Sequence, residues 1–269
     1  MAAPASPPQL RDTYEFCLVE RRDHLLEVTI NRPEAYNCFH QMLSDELDEV
    51  FDAYEADDTL WVAIITGAGT KAFSTGGDLK FLGSGKAMRL GPSGLGGLTD
   101  RVRSKPVIAA VNGFALGGGF EICLACDMIV ADERAQFGLS EALVGLVAGA
   151  GGTERLIRQL PKKLAMELLL TGRNMPVAEA DRHGLINAIA PAGEAMALAR
   201  ELAGKILACA PGSVRTTMQM INAGAAHASE AEAVIQRDQG VIGVLMKSED
   251  TREGLAAFAQ KRPPVWKNR

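Results

Sequence analysis

Two glutamates and two glycine-rich turns carry most of the chemistry this sequence could perform. Glu121 closes Asn112-Gly-Phe-Ala-Leu-Gly-Gly-Gly-Phe-Glu121, and Glu141 closes Phe137-Gly-Leu-Ser-Glu141. The other glycine-rich segments are Ala72-Phe-Ser-Thr-Gly-Gly-Asp-Leu-Lys80 and Gly149-Ala-Gly-Gly-Thr-Glu-Arg155. Adding water across a double bond needs a base for the water and an acid for carbon, and two carboxylates can share both tasks. Gly117 to Gly119 follow an apolar run and precede a helical one, so a ligand oxygen could approach the bare backbone and meet the unpaired N–H groups of a helix start. A second amide source at Gly76-Gly77 would complete an oxyanion hole, worth roughly 3–4 kcal/mol per donor in catalysis. Each feature alone has a plainer reading: helix-start electrostatics for Glu121, a cap for Glu141, and tight turns for the glycines.

Other cofactor and nucleophile signatures fail. A dinucleotide fingerprint counted from Gly117 and Gly119 would need glycine where Ile122 stands. Neither a phosphate-cradling G-x-x-x-x-G-K-[ST] nor a G-x-S-x-G nucleophile elbow occurs. Cys123 and Cys126 form a C-x-x-C inside the apolar stretch Phe120 to Ala125, where packing explains them. With Cys17, Cys38 and Cys209 they make five scattered cysteines, read as reduced thiols. The four histidines have no ligand spacing, so no metal is expected.

The elements that must position these groups alternate in type. Leu25 to Ile30, Trp61 to Thr66, Val107 to Val111 and Met128 to Val130 read as strands, and Gln41 to Tyr54 has helical spacing. A helix should start behind the glycine triplet. This alternation predicts an α/β class. Gly83 to Gly97 holds six Gly and one Pro in fifteen residues and is expected to be a mobile, lid-like loop. Helical stretches are expected near 194–208, 212–223, 229–247 and 249–260. The domain plan is thus a flexible tail over 1–12, a core over 13–200 and a helical region over 201–269. The chain is long enough for one substantial core. A net charge of -5, with no long basic run, speaks against nucleic-acid and anionic-membrane partners. No apolar run reaches membrane-spanning length, and neither a secretory signal nor a peroxisomal address is present, so the cytosol is the expected location.

Taken in order, these segments resemble the crotonase (enoyl-CoA hydratase/isomerase) superfamily, from about Val19 to Trp266. Asn31-Arg-Pro-Glu-Ala35, Pro106-Val-Ile-Ala-Ala-Val-Asn-Gly113 and the Leu156 that follows Arg155 extend the match. The resemblance implies a spiral of ββα units with a C-terminal helical region that builds homotrimers, often paired into hexamers. It implies oxyanion N–H groups at Gly77 and Gly118, and hydratase carboxylates at Glu121 and Glu141. Gly77, Asp78, Leu79, Lys80 and Gly118 would line the thioester site, with Lys261 the nearest candidate for the coenzyme phosphates. Coenzyme A would be part of the acyl-CoA substrate, with no separate cofactor. Gly77 stands where Ala or a larger residue is usual, and Val147-Ala148 replaces a common Ile-Pro pair. Ser248 to Arg262, Pro264-Val-Trp266 and Gly91 to Thr99 resemble carnitinyl-CoA dehydratases and their relatives. The sparse aromatics argue against tight cation selection, so a neutral enoyl-CoA is the expected better substrate.

Overall fold

The computed structural model describes residues 7–225 and 239–269. Its frame is a six-stranded sheet in the order β1 (Cys17–Arg22), β2 (Leu25–Ile30), β3 (Val62–Gly67), β5 (Val107–Val111), β7 (Met128–Asp132), β10 (Ala188–Ala190). A smaller sheet has the order β4 (Ala72–Ser74), β6 (Phe114–Leu116), β8 (Gln136–Gly138), β9 (Met175–Pro176). From β3 to β8 the chain alternates between the sheets, each return landing one strand further along in parallel register. That stepping is the spiral expected above. The four central strands of the larger sheet are covered on both faces, which is why β3 and β5 read as continuous apolar runs.

One face is covered by α1 (Gln41–Ala56), through Leu43, Leu47, Val50, Phe51 and Tyr54. On the other, α7 (Ala195–Leu207) buries Ala195, Ala199 and Ala203, a four-residue spacing that places three small side chains on one stripe. Arg200 reinforces this contact by donating at 2.7 and 2.8 Å to the buried Glu27 of β2. The helix straddling residue 200 is therefore packed across the larger sheet. At the N-terminus, Leu10 packs against the core and Arg11 pairs with Glu49 at 2.6 Å, within the span expected to be a flexible tail.

Beyond α7 come α8 (Pro211–Ala225), α9 (Gln239–Leu245) and α10 (Glu249–Ala259). Most of the stretch expected to be helical over 229–247 lies outside the described residues. Asn222 donates to the Arg103 carbonyl, Trp266 to that of Ala208 and Asn268 to that of Asp58. These anchors lie just before β3 and β5, or beyond the end of α7. The tail is thereby tied to the starting ends of the parallel strands, whereas the glycine turns follow strands of the smaller sheet. No helix among the described residues is long and apolar enough to cross a membrane.

Candidate active site

The turn from β6 into α3 (Gly118–Ala125) builds the centre of the site. Gly117 has φ +53°, so the chain bends sharply there, and Gly118 opens the helix. As the first helical residue, Gly118 has no intrahelical acceptor for its N–H. Gly76, after β4, has φ +85°, and a Cβ there would lie 2.7 Å from the Gly118 nitrogen. Only glycine satisfies both the backbone angle and that approach. The next residue, Gly77, forms a bridge with Phe39 in which Phe39 donates to the Gly76 carbonyl at 2.7 Å and Asp78 donates to Phe39 at 2.8 Å. The Gly77 N–H is left without a protein acceptor among the described residues. A Cβ on Gly118 would sit 3.8 Å from the Gly77 nitrogen, so both unpaired amides open on one small cleft.

Leu95 closes one wall of this cleft, 2.6 Å from where a Gly118 Cβ would be. This changes the reading of Gly83 to Gly97. Leu95 to Leu98 are buried, and Gly96 packs beside Phe39, Leu47 and Ile122. The second half of the expected lid is thus wedged into the core, with three glycines at positive φ (Gly94, Gly96 and Gly97) turning it inward. Composition marks the segment as irregular, but it cannot say which residue of it points in.

Glu121 lies in the first turn of α3 and is 3 % exposed. Its Oε1 accepts from the amides of Ala150 and Gly152 at 2.7 and 2.9 Å. Burial pushes its pKa up to about 7; the charge of Glu141 adds to this, while the two amides and Arg155 oppose it. Glu141 opens a short 3-10 turn, Glu141–Val144, behind β8. Its Oε1 lies against Gly117, 3.2 Å from the place a Cβ would take. Its Oε2 is buried with no protein partner among the described residues, and burial raises this carboxyl too. A buried oxygen in that state is built to meet a polar group from elsewhere. Two protonatable carboxyls and two free amides therefore gather about the start of one helix.

Four of the expected site residues are thus brought together: Gly77, Gly118, Glu121 and Glu141. Asp78 follows Gly77 but caps α2 (Leu79–Gly83), accepting from Lys80 and Phe81 at 3.1 Å each, and pairs with Arg32 at 3.2 Å. Although burial opposes it, the Phe81 amide and Arg32 hold the Asp78 carboxyl below the usual range. Leu79 and Lys80 are exposed on that short helix. Lys261 sits exposed just beyond α10, on the segment tied to Asp58 and Ala208, and no described contact joins it to the other four. The holders of Glu121, Ala150 and Gly152, were visible in the sequence only as a glycine-rich turn before α4 (Gly152–Gln159).

The chain belongs to the enoyl-CoA hydratase/isomerase family, whose profile matches residues 20–269. It is 44% identical over 262 residues to a carnitinyl-CoA dehydratase of Escherichia coli K12, covering 93% of this chain and 97% of that protein. Among solved structures, an enoyl-CoA hydratase from Mycobacterium tuberculosis H37Rv superposes with a TM-score of 0.89 at 40% identity, covering 94% of this chain and 99% of that one. A carnitinyl-CoA hydratase from Mycobacterium avium gives 0.76 at 40% identity, covering 96% and 100%.

Proposed function

We propose that this chain is a hydro-lyase that adds water to an α,β-unsaturated acyl-CoA and runs the reverse dehydration. The observation that carries the reading is the convergence of the buried Glu121 and the half-buried Glu141, both with carboxyls made harder to ionise by burial, on two unpaired amides. The thioester carbonyl accepts from the N–H groups of Gly77 and Gly118. Water lies between Glu121 and Glu141; as its oxygen bonds to the β-carbon, one carboxylate takes its proton. The π electrons move to the carbonyl oxygen as an enolate, held by the two amides. The partner carboxyl then gives a proton to the α-carbon, and the thioester re-forms. The coenzyme A of the substrate is the only cofactor this sequence of steps needs. Burial raises the pKa of both glutamates and the charge of Glu141 raises that of Glu121 further, which favours a pair that shares a proton, one member acting as acid and the other as base.

A carnitinyl-CoA dehydratase is the second reading, favoured by the near full-length identity to proteins of that name. A quaternary ammonium needs a free aromatic face or a free carboxylate. Phe39 and Phe73 are fully buried, Phe81 already has Lys86 Nζ 5.4 Å from its ring, and Asp78 is held by Arg32, which leaves Phe114, exposed at the start of β6, as the free ring among these phenylalanines. This scarcity of free aromatic faces supports a neutral acyl group. The exposed apolar side chains Leu255 and Phe258 on α10 support a homotrimeric or hexameric assembly, and a cytoplasmic location fits a thioester enzyme of this kind.

The test is hydration of a panel of enoyl-CoA thioesters by the intact chain. Glu121→Gln and Glu141→Gln should each lower turnover by orders of magnitude, and the double variant should be little worse than the weaker single, because the two act as a unit. A single variant with near-normal turnover would refute the assignment.

A further inference from the structure

Arg155, on α4, is an arginine whose guanidinium forms no ion pair among the described residues. It instead grips two backbone carbonyls, donating from Nη1 to Ala150 at 3.2 Å and from Nη2 to Thr99. Its Nη1 also lies against Gly151, where a Cβ would collide with it, and its own amide donates to the Gly151 carbonyl at 3.0 Å. Each attachment leads into a wall of the site. Ala150 and Gly152, on either side of Gly151, supply the two amides that hold Glu121 Oε1. Thr99 accepts at its hydroxyl from the Leu95 amide at 2.8 Å, and Leu95 is the side chain set against Gly118. A planar fork of five donors can span two carbonyls on separate segments, which an ammonium cannot do in the same geometry.

We propose that Arg155 is a positioning residue that clamps the Glu121-holding turn to the Leu95 wall, fixing Glu121 against the oxyanion amides. The proposal rests on the hydratase reading above but concerns the geometry of Glu121 whether or not a given thioester is turned over. The charged groups facing Glu121 are Glu141, from the turn behind β8, and Arg155 itself. The guanidinium therefore also favours the ionised form of the carboxyl it helps to place.

The experiment compares Arg155→Met and Arg155→Lys with the parent chain in two measurements. One is kcat and KM for crotonyl-CoA across pH; the other is carboxyl-carbon NMR titration of Glu121, assigned with Glu121→Gln. Arg155→Met should lower kcat roughly 10- to 100-fold with KM changed by no more than about twofold, the signature of a displaced catalytic group. Its Glu121 titration should move upward as the opposing charge is lost. Arg155→Lys should return the titration close to that of the parent yet stay several-fold slow, because one ammonium cannot hold both carbonyls. A folded Arg155→Met with kcat within about twofold and an unmoved titration overturns the proposal, as does a loss confined to KM or to thermal stability. If Arg155→Met does not fold, Arg155→Lys decides, and a parental kcat there overturns it. If the parent chain hydrates no thioester, the hydratase reading fails, while the NMR titration still decides the role of Arg155.

Discussion

Replacing Glu121 by glutamine should stabilise the protein while disabling it. Burial lifts this carboxyl from an ordinary 4.5 to about 7, so the folded state binds the proton more tightly than the unfolded chain does. By linkage, the folded state bears no penalty below about pH 4.5; the penalty grows as pH rises and is complete above about pH 7. At about 1.4 kcal/mol per unit of pKa, the full penalty is about 3 kcal/mol. Glutamine keeps an oxygen able to accept from Ala150 and Gly152, so those two bonds can survive. Urea unfolding of parent and Glu121→Gln should therefore show a stability gain of about 2–3 kcal/mol at pH 8 that fades toward zero near pH 4.5. Turnover should fall by orders of magnitude across the same range. A variant less stable than the parent at pH 8, or one whose gain does not vary with pH, would refute the claim that Glu121 is held against its own ionisation.

Hydration should peak near neutrality and fall on both sides: at low pH neither glutamate is a base, and at high pH neither is an acid. A flat kcat profile from pH 5 to 9 would contradict the shared proton. Gly76→Ala should lower kcat about 100-fold or more, because a Cβ would press on the Gly118 nitrogen at 2.7 Å. Gly77→Ala should be tolerated within a few-fold, since its Cβ would meet only Leu82 Cδ1 at 3.6 Å. In one buffer, kcat/KM should be higher for crotonyl-CoA than for crotonobetainyl-CoA; a tenfold preference the other way, about 1.4 kcal/mol, would restore the carnitine reading. Phe258→Glu combined with Leu255→Glu should shift the elution of the intact chain toward smaller species, and an unchanged profile would separate α10 from the assembly.

The parts legible from sequence were those with a strong local signal. β2 and β5 were read to the residue, and α1 and the helix behind the glycine triplet were read from spacing and punctuation. Strands β4, β6, β8 and β9 have three residues or fewer and no periodicity to read. They exist because the larger sheet and the returning chain hold them in register. The four central site groups were legible as types and order, but nothing local showed that Glu121 is gripped by Ala150 and Gly152. Those contacts span about thirty residues and are made by backbone amides, which leave no mark in the side-chain alphabet. Leu95 and Arg155 were not singled out because their partners lie far along the chain: Leu95 is set against Gly118, and Arg155 reaches back to the carbonyl of Thr99.

The Gly118 amide and Glu121 stand three residues apart on one helix, α3. The helical rise sets about 4.5 Å of axial spacing between the backbone positions of the proposed oxyanion donor and of the proposed proton carrier. That spacing is intrinsic to a single turn of backbone, so drift in the surrounding sequence leaves it untouched. Change is free to accumulate instead in exposed segments that flank the site residues along the chain, such as the surface portion of 84–93 ahead of Leu95 and the exposed Leu143-Val-Gly-Leu-Val147 after Glu141. A duplicated copy of such a gene could acquire a new acyl preference through those borders alone while inheriting its reaction intact.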